Sequence, residues 1–155
     1  MQSSLNEPGP DAWMQIAPLL EDAMAKLGES ASGRVISASM VMDTSICNAQ
    51  GEKLGSVEDI MLDKLSGRVR YAVLSFGGFL GLGDKLFPLP WRALDYNKDW
   101  EAFVVDIDKE RLESAPGFDA GNPPDFGDEA WGQKLYDYYG YSQYWSEDRG
   151  RSDAL

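Results

Sequence analysis

The sequence predicts a mainly β protein: a small, strongly bent antiparallel β-barrel flanked by N-terminal and C-terminal helices. Short apolar strand patterns follow one another at intervals of about ten residues, as in small barrels and sandwiches. One long strand pattern changes phase midway, as a bulged strand does. Apolar residues at helical spacing lie before and after these strands. Together these patterns favour a closed or half-closed barrel between two helical segments.

The N-terminal segment predicts a disordered start followed by an amphipathic helix. Residues 1–10 are polar and contain proline and glycine. From Asp11 the apolar residues recur at helical spacing, with Asp11 as a plausible N-cap and Gly28 as a stop. Pro18 predicts either a kink or a fresh helix start. The residues of this apolar stripe are Trp13, Ile16, Ala17, Leu20, Met24 and Leu27.

The first strands are predicted from short apolar runs and the turns between them. Val35–Ser39 and Met40–Met42 are predicted as short extended segments, and Ser45–Asn48 as a strand that leads into a turn. Lys53–Asp63 is a long strand whose phase change near Glu58 predicts a bulge. After a tight turn, the alternating sequence from Arg68 to Phe76 predicts the clearest strand in the chain.

The second half of the barrel follows a glycine-rich loop. Lys85–Leu89 is predicted as a strand, Pro90–Leu94 as a tight turn, and Glu101–Ile107 as the last strand. Asp108 is expected to cap a short helix that ends near Ser114. Residues 115–127 then predict an extended crossing, and Asp128–Tyr139 an amphipathic helix. The expected organisation is residues 1–33 as N-terminal segment, 34–119 as barrel and 120–155 as an acidic, aromatic C-terminal extension with a frayed end.

The charge balance bears on the class of partner. The chain carries 26 acidic and 14 basic residues, a net charge of −12, so its surface would mostly repel a phosphate backbone. Direct nucleic-acid binding is therefore not expected. Membrane insertion is not expected either, because no run of about 18 apolar residues occurs. The start of the chain has no basic and apolar signal pattern, which favours a cytoplasmic location.

The scarcity of cysteine and histidine excludes several classes of site. A single cysteine, Cys47, cannot form a disulfide within the chain, and we interpret it as a buried or incidental thiol. The absence of histidine excludes Ser-His-Asp and Cys-His nucleophiles and histidine-ligated zinc. We expect no cofactor.

Three segments resemble the PRC-barrel family, which is named for the cytoplasmic domain of the photosynthetic reaction-centre H subunit. They are Gly51–Asp63 (GEKLGSVEDIMLD), Gly67–Trp91 (GRVRYAVLSFGGFLGLGDKLFPLPW), and Leu112 with Ala115–Asp119 (APGFD). The resemblance implies a bent PRC-type β-barrel, roles in assembly and regulation, and no shared catalytic residue. We expect no counterpart of the H subunit's membrane anchor or of the extra domain of the ribosome-maturation member, so the sequence looks like the stand-alone bacterial members.

The glycine-rich segment Gly77–Asp84 has two interpretations once phosphate binding is set aside. A Walker-type pattern starting at Gly78 fails because Asp84 stands where lysine is required and no helix follows. The apolar side chains of Phe79, Leu80 and Leu82 would then form an exposed contact patch or a plug beneath the barrel. The barrel mouth at this segment is also where a small ligand or metal would bind, if the domain is a regulator.

The acidic clusters have structural explanations. Asp59 and Asp63 are placed to pair with Arg68 or Arg70 across a hairpin, and the acids near Asp108 follow turn and cap patterns. No carboxylate pair has a supporting catalytic motif, so an enzyme is the last-ranked hypothesis.

The C-terminal extension is unusually aromatic for an acidic tail. Its rings are those of Trp131, Tyr136, Tyr138, Tyr139, Tyr141, Tyr144 and Trp145. Trp131, Leu135, Tyr138 and Tyr139 share a helical face, which would either cover the chain's own barrel or contact another chain. Both alternatives remain open from the sequence.

The favoured function is a non-catalytic protein-binding or assembly module, an adaptor or scaffold that self-associates as a homodimer. The barrel would serve as a platform, while the N-terminal helix and the aromatic segment give specificity. The predicted protein interface consists of Phe79, Leu80, Leu82, Trp131, Leu135, Tyr138 and Tyr139. The alternative is a regulatory domain that binds a small ligand or metal near Gly77–Asp84.

Overall fold

The computed structural model of the chain describes residues 9–30, 34–76 and 85–143. The chain divides into two compact units between Val41 and Met42, and each is described by itself. Among the helices in the described ranges, none is long and apolar enough to cross a membrane.

The first unit contains a long helix and a short one. Helix α1 runs without interruption from Pro10 to Ser30, so it passes through Pro18 and beyond the predicted stop at Gly28. Helix α2, Ala38–Val41, replaces the two extended segments predicted from Val35 to Met42, and that prediction was wrong. The reason is local: the carbonyl of Ser37 accepts from the backbone N–H groups of Met40 and Val41 at 3.0 and 3.2 Å. These bonds close a helical turn that short apolar runs alone do not reveal.

The second unit is built on one sheet of seven strands, in the order β5-β6-β1-β2-β3-β4-β7. The strands are β1 Ser45–Cys47, β2 Lys53–Leu62, β3 Val69–Phe76, β4 Lys85–Pro90, β5 Leu94–Asn97, β6 Ala102–Val105 and β7 Phe118–Asp119. A 3-10 turn, Trp91–Ala93, joins β4 to β5 at the predicted tight turn.

The sheet differs from the predicted antiparallel barrel in two respects. The sheet is mixed, because β1 pairs in parallel with β6 through Ile46–Phe103 and Cys47–Val104. The other strand pairs of the described sheet are antiparallel. It is also open within the described ranges, since β5 and β7 end the strand order without pairing to each other. The parallel pair arises because β6 follows the β5 hairpin and returns beside β1, a long-range pairing that strand patterns do not specify.

The predicted bulge in β2 is present. The β2–β3 register shifts between Val57 and Asp59, which places Glu58 as the extra residue. Val57 is buried on one side of the shift, and Glu58 and Asp59 are exposed on the other. The neighbouring Gly55 is needed for strand contact, because a Cβ there would lie 2.2 Å from the Ser75 carbonyl oxygen.

Strand β3 forms the centre of the core. Four successive residues, Tyr71 to Leu74, are buried, so both faces of this strand are covered. Phe87 and Leu89 on β4 and Phe103, Val105 and Ile107 on and after β6 extend the core. The predicted inward face of the last strand is confirmed by the burial of these last three residues.

Both predicted C-terminal helices are present with their predicted acidic starts. Helix α3 spans Lys109–Glu113, and the Asp108 carboxylate accepts from the Arg111 N–H. Helix α4 spans Glu129–Tyr139, and the Asp128 carboxylate accepts from two backbone N–H groups of its first turn. Gly140 ends α4 in the left-handed conformation with φ of 79°, a backbone region that glycine adopts without steric cost.

The β2–β3 hairpin is closed by Asp63. Its carboxylate accepts from the Leu65 and Ser66 N–H groups at 2.9 and 3.1 Å and forms an ion pair with Arg70, as predicted from the hairpin. These bonds lower the pKa of the Asp63 carboxyl, chiefly through the backbone N–H groups of Ser66 and Leu65, with Arg70 adding to the effect.

We therefore expect Asp63 to stabilise the hairpin in a pH-dependent way. Its pKa is lower in the folded chain than the ordinary 3.8, so its contribution is complete above that value and is lost as the pH falls through the folded pKa. In urea unfolding followed from pH 6 to pH 2, the Asp63→Asn variant should lose less stability on acidification than the unmodified chain. An identical acid loss in both chains would contradict the assignment.

Candidate protein-interaction site

The predicted aromatic helix packs on the chain's own sheet. Helix α4 contacts β4, and its inward side chains Leu135, Tyr136 and Tyr139 are buried. Of the two alternatives that the sequence left open for this face, the structure shows the first: the face covers the chain's own sheet. Contact with a second chain by the rest of the helix stays a prediction.

An aromatic cluster joins α4 to the middle of the sheet. The ring of Tyr71 on β3 lies 5.5 Å from Trp131 and 5.7 Å from Tyr136, measured between centroids, in edge-on geometry. Phe126 adds a third neighbour at 5.9 Å from Tyr71, and it also lies 5.2 Å from Trp131. Such edge-on pairs each contribute about 0.5–1.5 kcal/mol beyond the area that they bury.

Two tyrosine hydroxyls fix the helix to the body of the domain. Tyr136 donates to the Arg70 carbonyl at 2.6 Å from a fully buried position. Tyr138 donates to the Arg111 carbonyl at 2.7 Å from a more exposed one, and the Arg111 guanidinium donates back to the Tyr138 carbonyl at 2.9 Å. Each of these two tyrosine hydroxyls thus donates a hydrogen bond to a backbone carbonyl, one on β3 and one on α3.

Tyr139 is the least satisfied polar group in this layer. Its hydroxyl is buried and has no hydrogen-bond partner within the described ranges. Burial raises its pKa above the ordinary 10, Tyr138 adds to the rise, and Arg111 opposes it. The hydroxyl therefore stays protonated at neutral pH, and no acid-base role follows from it.

The seven predicted interface residues have different surroundings. Leu135 and Tyr139 are buried in the chain, whereas Trp131 and Tyr138 are partly exposed. Phe79, Leu80 and Leu82 lie outside the described residues, as does the proposed ligand mouth at Gly77–Asp84. The structure brings four of the seven onto one helix, and an interface role for the set remains a prediction.

A groove that the sequence did not predict lies beside Trp131. It has a volume of about 270 Å³. Its lining consists of Pro88, Pro116, Gly117, Phe118, Asn122, Pro123, Pro124 and Trp131. From the sequence, the prolines of residues 115–127 predicted only an extended crossing. Pro88 on β4 also lines the groove, and its approach to these residues was not evident from the sequence.

Helix α1 presents a second surface. The side chains of Trp13, Leu20 and Met24 are 61%, 52% and 49% exposed, and Ile16 on the same face is half-buried. Three large apolar side chains on one stripe are thus accessible to solvent. Contiguous apolar surface of this kind marks interaction sites in many proteins.

The chemistry available for catalysis or metal binding is limited. Within the described ranges, no three His, Cys, Asp or Glu side chains come together as a metal site. Cys47 is buried, in agreement with the interpretation of a buried thiol.

One family model matches the chain over the region that contains most of the sheet. The model of the PRC-barrel domain matches residues 34–112, which is half of the chain. The chain belongs to the PRC-barrel family. Strands β1 to β6 lie within the matched region of this PRC-barrel chain, α3 begins within it, and α4 lies after it.

Among solved structures, the PRC-barrel chain is similar to RimM from Pseudomonas aeruginosa, named as a 16S ribosomal RNA processing protein. The two share 12% identity with a TM-score of 0.37, over 52% of this chain and 49% of the other. The match therefore spans about half the length of that protein. Too little of the two structures superimposes for RimM to support a conclusion about this chain. No curated protein sequence matches the chain at a significant level.

The two tyrosine hydroxyls give a matched test of how α4 is held. Tyr136→Phe should lower the free energy of unfolding by about 1–2 kcal/mol, because it removes a hydrogen bond made by a fully buried hydroxyl. Tyr138→Phe removes the same bond at a more exposed position, where water replaces the hydroxyl, and should cost less than about 0.5 kcal/mol. Urea unfolding of both variants measures the difference. Equal costs would contradict the claim that α4 is part of the core.

Proposed function

We propose that this PRC-barrel chain is a non-catalytic protein-binding module that self-associates through helix α1. The observation that carries the proposal is the exposed apolar stripe of Trp13, Leu20 and Met24. A helix with one apolar stripe and polar residues opposite is typical of helix-to-helix contact. A second copy of the chain offers an identical stripe, so one surface can serve both partners of a two-fold dimer.

The dimensions and composition of α1 support this. A helix of 21 residues is roughly 30 Å long, which is sufficient for several layers of side chains between two helices. Most of the stability of a helix in a protein comes from packing of its apolar face, so packing against a partner would stabilise α1. The ion pair between Asp22 and Lys26, at 2.8 Å, lies among the polar residues of the helix.

Catalysis has no support in the chemistry of the chain. The sequence contains no histidine. Among the described residues, Asp63 has a lowered pKa, and this shift comes chiefly from the hydrogen bonds that close the β2–β3 hairpin. The alternative function is a regulator that binds a small ligand or metal at Gly77–Asp84, and no described residue adds support for it. An adaptor or scaffold role is therefore the function we favour, with a protein partner still to be identified.

Two charge-matched variants of α1 test the self-association. Leu20→Glu places a carboxylate in the apolar stripe, whereas Ala25→Glu places one roughly 140° away around the helix at an exposed position. Both substitutions suit a helix and change the net charge equally. Size-exclusion chromatography with light scattering should show a dimer for the unmodified chain and for Ala25→Glu. Leu20→Glu should be monomeric, because burying an unpaired charge in the contact is strongly unfavourable.

A monomer for the unmodified chain at the highest attainable concentration would overturn self-association. A dimer that persists in Leu20→Glu, with circular dichroism showing both variants folded, would place the contact elsewhere than α1. In either of these cases, capture of a different protein by the unmodified chain but not by Leu20→Glu would retain the binding role and reassign the partner.

A further inference from the structure

The groove beside Trp131 has a lining that selects for one kind of ligand. Four of its eight residues are Pro88, Pro116, Pro123 and Pro124. A proline contributes a carbonyl acceptor but no N–H donor to its surroundings. Asn122 adds a side chain with both an acceptor and a donor, and no lysine or arginine of the described residues lines the groove. Within the described chain the groove therefore presents proline and aromatic surface with no cationic side chain.

The chain around the groove is negatively charged. The stretch from Pro116 to Trp131 supplies seven of the eight lining residues and carries four carboxylates but no basic residue. The carboxylates are those of Asp119, Asp125, Asp128 and Glu129, all on exposed residues. Lys85, the strand partner of Asp119, has its ammonium 5.6 Å from the centre of the Phe87 ring. An anionic ligand would meet an unfavourable potential here.

The indole of Trp131 supplies the remaining recognition element. It is half-buried and is held by edge-on contacts with Tyr71 and Phe126 at 5.5 and 5.2 Å. A fixed tryptophan ring attracts a cation over its face, and a guanidinium stacks on it better than an ammonium does. The volume of about 270 Å³ is near the lower limit for small-molecule sites, so it suits a single side chain better than a large cofactor.

We propose that this groove binds an arginine side chain from a basic segment of a protein partner. The guanidinium is a planar, permanently charged cation, which suits an aromatic ring beside exposed carboxylates. The indole stacks on its plane, and the surrounding carboxylates contribute long-range attraction that the net charge of −12 reinforces. The inference deepens the proposed protein-binding role by naming the chemistry of a partner, and it uses a surface separate from helix α1.

The test uses the full chain and three acetylated, amidated tetrapeptides made of arginine, lysine or citrulline. Isothermal titration should give the tightest binding for tetra-arginine, weaker binding for tetra-lysine, and at least about tenfold weaker binding for tetra-citrulline, which keeps the shape without the charge. Binding of tetra-arginine should weaken as the salt concentration rises. Equal affinity for the arginine and citrulline peptides would overturn the proposal.

Variants separate the groove from general attraction to an acidic surface. Trp131→Leu should weaken tetra-arginine binding by about threefold to thirtyfold, the range of a cation–π contact. Trp131→Phe keeps an aromatic ring and should lose less; circular dichroism and thermal melting establish that both are folded. Asp119→Asn should weaken binding, whereas Asp95→Asn on β5, also an exposed acid, should leave it within about twofold.

Equal losses in Asp119→Asn and Asp95→Asn, or unchanged affinity in a folded Trp131→Leu, would mean that the peptide binds the acidic surface without using the groove, and would overturn the proposal. Titration of the Leu20→Glu variant distinguishes the two proposals. Because the groove lies outside α1, that variant should bind tetra-arginine as the unmodified chain does, whatever its oligomeric state.

Discussion

The burial of strand β3 on both faces is the constraint on which the rest of the domain depends. Tyr71 to Leu74 form one continuous buried run, so a single bent sheet cannot cover them without a second layer. Helix α4 supplies that layer through Leu135 and Tyr136, and the ring of Tyr71 contacts three aromatic side chains from this region. The aromatic C-terminal segment is thus part of the fold, and the surfaces left for partners lie beside it and on α1.

The open sheet also explains where the groove forms. Beyond Lys85 and Leu86, which pair with the two residues of β7, the outer edge of β4 has no strand partner in the described chain. Pro88 and Pro90 lack N–H groups, and proline is tolerated in a sheet where its missing donor faces away from a paired strand. Helix α4 packs against β4. Pro88 on β4 and Trp131 on α4 both line the groove.

The sequence predicted the bulge, the hairpin ion pair and the cap of helix α3 well, and the long-range pairings poorly. The β2 bulge near Glu58, the Asp63–Arg70 pair and the Asp108 cap depend on neighbouring residues, and each is present. The parallel pairing of β1 with β6 joins segments far apart in the chain, so periodicity could not specify it. Strand β5 was missed because its residues, including Asp95 and Asn97, are uncommon in strands. The groove was missed because Pro88 meets Trp131 only in the folded chain.

Native-state hydrogen exchange tests most directly whether α4 and β3 form one core. If they do, the amides of Leu135 to Tyr139 exchange only through the same global opening as those of Ala72 and Leu74, with matching free energies of protection. That is the result expected from the buried tyrosines and the bond from Tyr136 to the Arg70 carbonyl. Rapid exchange throughout α4, with β3 still fully protected, would show that the helix opens independently and would contradict its place in the core.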